Sequence, residues 1–127
     1  MRLRVLPDTF TVCKMDSFEK VDLARPFFFA ACTVEEHSLV CPTAEAPMAT
    51  IAREDGWRAF RIEGVLDFGL VGILAGIASL MAENGIAIFA VSTFNTDYVF
   101  LKEEHLQTAL QILVKNGYNA DVAMQGS

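Results

Sequence analysis

Apolar and polar positions follow two different periods along the chain, and the second half is the more regular. From residue 57 to 62 the side chains alternate. Trp57, Ala59 and Arg61 face one way, and Arg58, Phe60 and Ile62 the other, which predicts a strand. After a short loop at 64–67, Leu70, Ile73, Leu74, Ile77 and Met81 recur at helical spacing, predicting a helix to about Glu83. Asp67 suits its N-cap, because a carboxylate there accepts from the free amides of the first turn. Asn84-Gly85 ends it, since glycine takes the left-handed conformation of a helix stop. Residues 86–91 read as a buried strand, 92–95 as a connection and 97–101 as the next strand. A second helix starts near Lys102 or Glu103, where acidic residues suit the positive helix end. Leu106, Ala109, Leu110 and Leu113 form its apolar stripe, and Asn116-Gly117 repeats the stop. Residues 118–122 read as a last strand and 123–127 as a tail.

The first half is rich in short strands. Residues 3–6 and 10–14 form two, separated by the turn signal Pro7-Asp8. Residues 15–25 are mixed and polar, a loop or a poor helix. Residues 27–32 then make an apolar strand, Glu35-Glu36-His37 a turn, and 38–41 the return strand of a hairpin. Pairing Thr33 with Ser38 sets Cys41 opposite Ala30 rather than Cys32, so no disulfide is implied. Residues 42–55 hold two prolines and several small or charged residues, and read as a linker.

The order from Trp57 onward is β-α-β-β-α-β. That predicts an α+β, ferredoxin-like fold, a four-stranded antiparallel sheet with both helices on one face. The expected division is a module at 57–122 and a smaller, β-rich lobe at 1–50, a degenerate version of the same unit.

Hydrophobic residues make up 53% of the 127 positions and charged residues 20%. For so short a chain the apolar excess predicts a surface covered by another subunit, most simply in a homodimer. The net charge is −6, with ten basic residues against sixteen acidic ones. That balance argues against nucleic acid and anionic membranes as partners, and against base stacking on the Phe27-Phe28-Phe29 run. No segment approaches the roughly 20 apolar residues that span a bilayer, and residues 1–7 lack the apolar run of a signal peptide. Cys13, Cys32 and Cys41 lack metal-ligand spacing and read as buried free thiols of a reduced, cytoplasmic protein. His37 and His105 have no partner at ligand spacing, and no G-x-G-x-x-G run is present. Neither a metal nor a cofactor is expected, and no local signature of an enzyme stands out.

Three stretches narrow the reading. Gly64-Val65-Leu66-Asp67-Phe68 leads into Gly69-Leu70-Val71-Gly72-Ile73-Leu74, Asn84-Gly85-Ile86 follows, and Ser92-Thr93-Phe94-Asn95-Thr96-Asp97 completes the set. Together they resemble the ACT domains of aspartate kinases and of the cytosolic arginine sensors of the TOR pathway. The latter carry a similar Ser-Thr-Phe-x-Thr-Asp run between their second and third strands. Residues 2–6 and 27–40 are similar to the start of those sensors. The resemblance implies paired ACT modules that bind an amino acid between them, in a non-catalytic regulatory or sensor protein. A ligand-free interaction or dimerisation module is the alternative.

The candidate site joins two segments. Leu66, Asp67, Phe68 and Gly69 stand where the first helix starts, and free helix-terminal amides there suit a ligand carboxylate. Asp67 would repel that carboxylate, so capping or an ammonium contact fits it better. Thr93, Phe94, Asn95 and Asp97 form the second segment, with Asp97 placed to pair with a ligand ammonium or guanidinium. Thr93 and Asn95 offer a hydroxyl and an amide, and Phe94 a wall. Ordinary turn chemistry explains Ser92 and Thr96 equally well. Gly72, Ala75, Gly76 and Ser79 form a small-residue face suited to close packing.

Overall fold

A computed structural model describes residues 1–63 and 72–122. Among these residues the elements run β1 (Arg2–Val5), β2 (Phe10–Met15), β3 (Phe29–Cys32), β4 (His37–Pro42), a 3-10 turn at Thr43–Glu45, β5 (Ala52–Ile62), α1 (Ile73–Glu83), β6 (Ile88–Ser92), β7 (Asp97–Lys102), α2 (Glu103–Lys115) and β8 (Asn119–Val122). The chain divides into two compact units, Met1–Pro7 with Arg58–Ser127, and Asp8–Trp57. The first strand thus belongs with the C-terminal unit, a placement that a boundary near residue 50 does not capture. None of the described helices is long and apolar enough to cross a membrane.

In the C-terminal unit the strand order is β6-β7-β5-β1-β8. This is the expected ferredoxin-like sheet with one strand added. β1 lies between β5 and β8, antiparallel to the first (Leu3 opposite Ile62) and parallel to the second (Leu3 opposite Ala120). The insertion follows from burial. Leu3 and Val5 are fully buried in one core with Phe60, Ile62, Val99 and Leu101 from the sheet and Ile77, Met81, Ala109 and Leu113 from the helices. Both helices therefore cover the same face. Arg2 and Arg4 project from the other face of β1, where Asp121 and Glu63 meet them.

Both helices end as expected. Gly85 and Gly117 adopt φ of 69° and 96°. The amides of Ile86 and Tyr118 donate back to the carbonyls of Met81 and Leu113, at 2.9 and 3.1 Å. The start of α1 lies later than expected. Ile73 is its first residue, preceded by Gly72 at φ 83°, a left-handed conformation that interrupts a helix. Asp67, the expected cap, lies outside the described residues. Gly76 is the small residue with a packing reason, since a Cβ there would stand 3.3 Å from the Tyr118 hydroxyl. β6 is half-exposed rather than buried, because among the described residues it pairs only with β7 and stands at the sheet edge.

The unit Asp8–Trp57 has the strand order β3-β4-β2-β5. Taken by position in the chain, this is the same 2-3-1-4 order that β6, β7, β5 and β8 follow in the C-terminal unit. The helices are missing: residues 16–28 hold only turns, and residues 43–51 the single 3-10 turn. Its core joins Cys13, Met15, Leu39 and Cys41 to Phe18, Val21 and Phe28. Two expectations change here. The Thr33 hydroxyl accepts from the amides of Glu35 and Glu36, so Thr33 belongs to the turn, and the hairpin register differs from the expected Thr33–Ser38 pairing: Ser38 lies opposite Ala31, and Ala30 opposite Leu39 rather than Cys41. The second half of the expected linker is strand: Ala52, Arg53 and Glu54 pair with Lys14, Cys13 and Val12. Cys13 and Cys41 are buried, but Cys32, on the edge strand β3, is exposed.

Candidate functional site

β6 and β7 form a hairpin in which Ser92 lies opposite Asp97. The connecting turn is held from within. The Thr93 amide donates to the Thr96 carbonyl at 2.9 Å, and the Thr93 hydroxyl bridges the Thr96 carbonyl and amide at 3.0 and 3.3 Å. Thr96 is 6% exposed, and its hydroxyl donates to the Ile62 carbonyl at 2.8 Å. That bond ties the turn to the last residue of β5. Asp97 then opens β7 at the same sheet edge. The Ser92 hydroxyl donates to its Oδ1 at 2.5 Å. Among the described residues no cation pairs with Asp97. A carboxylate fixed by a neighbouring hydroxyl and lacking a counter-ion can take a cationic group without first breaking an ion pair.

A charged group stands on the sheet face away from the helices. Arg4 and Arg61 lie directly opposite each other on β1 and β5, a like-charge pairing that is unfavourable by itself. Glu63 resolves it, with its carboxylate 3.4 Å from Arg4 Nε and 3.3 Å from Arg61 Nε. A hydrogen bond with Tyr98 raises the pKa of Arg61, and Glu63 adds to the effect. Phe89 and Phe100 stack nearby on the β6–β7 pair, with ring centroids 4.6 Å apart. Ala59, Tyr98 and Phe100 are buried.

Each expected site residue has a definite standing. Leu66, Asp67, Phe68 and Gly69 lie outside the described residues. The Thr93 hydroxyl is engaged in the turn, Phe94 is 80% exposed at its tip, Asn95 is exposed and Asp97 is half-buried. Sequence reading left Thr96 as an ordinary turn residue, yet it anchors the hairpin. The signal was the Thr-x-x-Thr spacing, in which one hydroxyl closes the turn and the next is free to reach a neighbouring strand. It also missed Arg4, Arg61, Glu63 and Tyr98 as a group. Alternating charges in residues 2–4 and 58–63 were visible, but their pairing across strands was not. Two cavities of about 450 and 460 Å³ among the described residues are lined by other segments. Among the described residues no group of three His, Cys, Asp or Glu side chains could hold a metal ion.

The ACT domain family matches residues 52–115, half of the chain. The chain belongs to the ACT domain family. ACT domains are typically regulatory, ligand-binding modules, and the match covers β5 through α2 with the hairpin between them. Among solved structures, the chain is similar to a protein from Agobacterium tumefaciens at 25% identity, TM-score 0.84, covering 98% of this chain and 94% of that one. The ligand-free regulatory subunit of aspartate kinase from Thermus thermophilus shares the fold at 11% identity, TM-score 0.63, covering 89% and 95%. So do the α and β subunits of an aspartokinase, at 14% identity, TM-score 0.62, covering 91% and 96%. No curated protein matches this chain.

Proposed function

We propose that this ACT protein is a non-catalytic regulatory or sensor protein of the cytoplasm that binds an amino acid at the 93–97 hairpin. The observation that carries the reading is the Asp97 carboxylate, held by Ser92 at 2.5 Å beside a turn that Thr96 fastens to β5. Asp97 takes the ligand ammonium or guanidinium, and residues 66–69 supply donors to its carboxylate. The likeness to an aspartate kinase regulatory subunit supports a role exercised on a partner protein. In the same reading the unit Asp8–Trp57 is a degenerate ACT copy, supported by its strand order. Thermal melting in the presence of each of the twenty amino acids tests the binding. A rise in Tm with one or a few related amino acids is expected, because a ligand that binds only the folded state stabilises it by mass action. No shift with any of them contradicts it.

One observation favours a second reading, a ligand-free dimerisation module. β6 is an edge strand without a charged residue, and α1 carries none from Ile73 to Ala82. Edges that must stay unpaired usually bear charges, prolines or bulges. A homodimer formed there is compatible with ligand binding, and it stands alone if no amino acid binds.

A further inference from the structure

Both helices stop on the same dipeptide, and its chemistry matters as well as its conformation. The chain holds four asparagines, and glycine follows only Asn84 and Asn116, whereas Thr96 follows Asn95 and Ala120 follows Asn119. A backbone nitrogen can attack the side-chain carbonyl carbon of the asparagine before it, and a glycine has no Cβ to obstruct the approach. Asn84, Gly85, Asn116 and Gly117 are all exposed, so water reaches both pairs.

The folded helix ends hold the reacting atoms apart, and they do so identically. The side-chain amide of Asn84 donates to the Leu80 carbonyl and that of Asn116 to the Ile112 carbonyl, both at 2.8 Å. The Gly85 nitrogen donates to the Ala82 carbonyl and the Gly117 nitrogen to the Val114 carbonyl, both at 3.2 Å. The ψ angle is 12° at Asn84 and 20° at Asn116, which turns the following nitrogen away from the side chain. Ring closure needs that nitrogen to swing round until it eclipses Cβ. The swing breaks the bonds from Ile86 to Met81 and from Tyr118 to Leu113, which fasten each helix stop to a core residue.

We infer that Asn84 and Asn116 are deamidation sites gated by the helix ends, so that an end that opens acquires a charge that hinders it from closing again. The glycine nitrogen gives its proton to water and bonds to the asparagine Cγ. The Cγ–N bond of the side-chain amide breaks, and ammonia leaves. Water then opens the five-membered imide at either carbonyl, giving aspartate or isoaspartate. The product has lost the donor to Leu80 or Ile112 and carries a negative charge at a helix C-terminus, where the macrodipole is already negative. Glu83 beside Asn84 adds a like charge, while Lys115 beside Asn116 offsets it, so conversion at Asn84 disturbs its helix more.

The test is peptide mass spectrometry on the full chain, aged at mildly alkaline pH in native buffer and in urea, following amide to acid at all four asparagines. In urea Asn84 and Asn116 should convert ahead of Asn95 and Asn119. In native buffer both should slow about tenfold or more, because only the locally opened fraction reacts. Asn84→Asp and Asn116→Asp reproduce one product of each site, and both should melt below the wild type, Asn84→Asp by the larger shift. Three results overturn the inference: equal rates in native buffer and urea, conversion of Asn95 or Asn119 first in urea, or Asp variants that melt with the wild type.

Discussion

Thr96 illustrates how much one buried hydroxyl can decide. Its bond to the Ile62 carbonyl is made at 6% exposure, away from water that could replace it. Thr96→Val keeps the shape and leaves that carbonyl without its donor, at a cost of about 1–2 kcal/mol. Urea denaturation of the variant should show this loss, and an unchanged midpoint would mean that the turn is held by Thr93 alone. The thiols make a second prediction. Burial raises the pKa of Cys13 and pushes Cys41 up to about 11 from an ordinary value of 9.0, with the Cys13 charge adding to the latter. The unfolded thiols ionise first as pH rises, so folding stability holds below about pH 9 and falls between there and pH 11. Urea midpoints at pH 8 and 10.5 should reveal the fall, and Cys41→Ala should reduce it. A thiol-reactive chromophore at pH 8 should label exposed Cys32 rapidly and the other two slowly. The expectation that all three thiols are buried fails at Cys32 because an edge strand covers its residues on one side only.

At the scale of elements, β1 is the strand on which the C-terminal unit depends most. It pairs on both sides, and Leu3 and Val5 are fully buried among the residues that the helices cover. Leu3→Ala should cost about 2–5 kcal/mol, as large-to-small changes in a core do. Circular dichroism should show both helices melting together at a lower temperature. A loss under 1 kcal/mol would show β1 to be an accessory strand. The helices themselves were legible in the sequence, because an amphipathic stripe and an Asn-Gly stop are both local signals. Asn84 and Asn116 even repeat the same side-chain bond, donating to the carbonyls of Leu80 and Ile112 at 2.8 Å. What β1 pairs with was not legible, since β5 and β8 lie more than fifty residues away and leave no mark on its own alternation. The N-terminal half of β5 was hidden for a different reason. Ala52, Arg53, Glu54 and Asp55 are all exposed, so a strand there has no apolar period to reveal it. Of the candidate site, Asp97 could be picked out by residue type and family resemblance, whereas the Thr96–Ile62 tether depends on strand adjacency.

For the molecule as a whole, an uncharged edge strand, together with a helix that carries no charge from Ile73 to Ala82, points to self-association. Sedimentation at tens of micromolar should give a dimer, and an added charge such as Ala90→Lys on exposed β6 should shift it toward monomer. A strict monomer for the unaltered protein would rule out the dimer. Ligand binding rests on the Asp97 carboxylate, which no described cation neutralises. A charge-assisted hydrogen bond is worth roughly 1.5–3 kcal/mol, so removing the carboxylate should weaken binding about tenfold or more. Asp97 is half-buried at the start of its strand, and its loss leaves the core intact. The most direct measurement is calorimetric titration of the wild type and Asp97→Ala with the amino acid that raises Tm most. Saturable binding to the wild type is expected, with about tenfold weaker binding to a variant that melts normally. Equal affinity in the two proteins would contradict it.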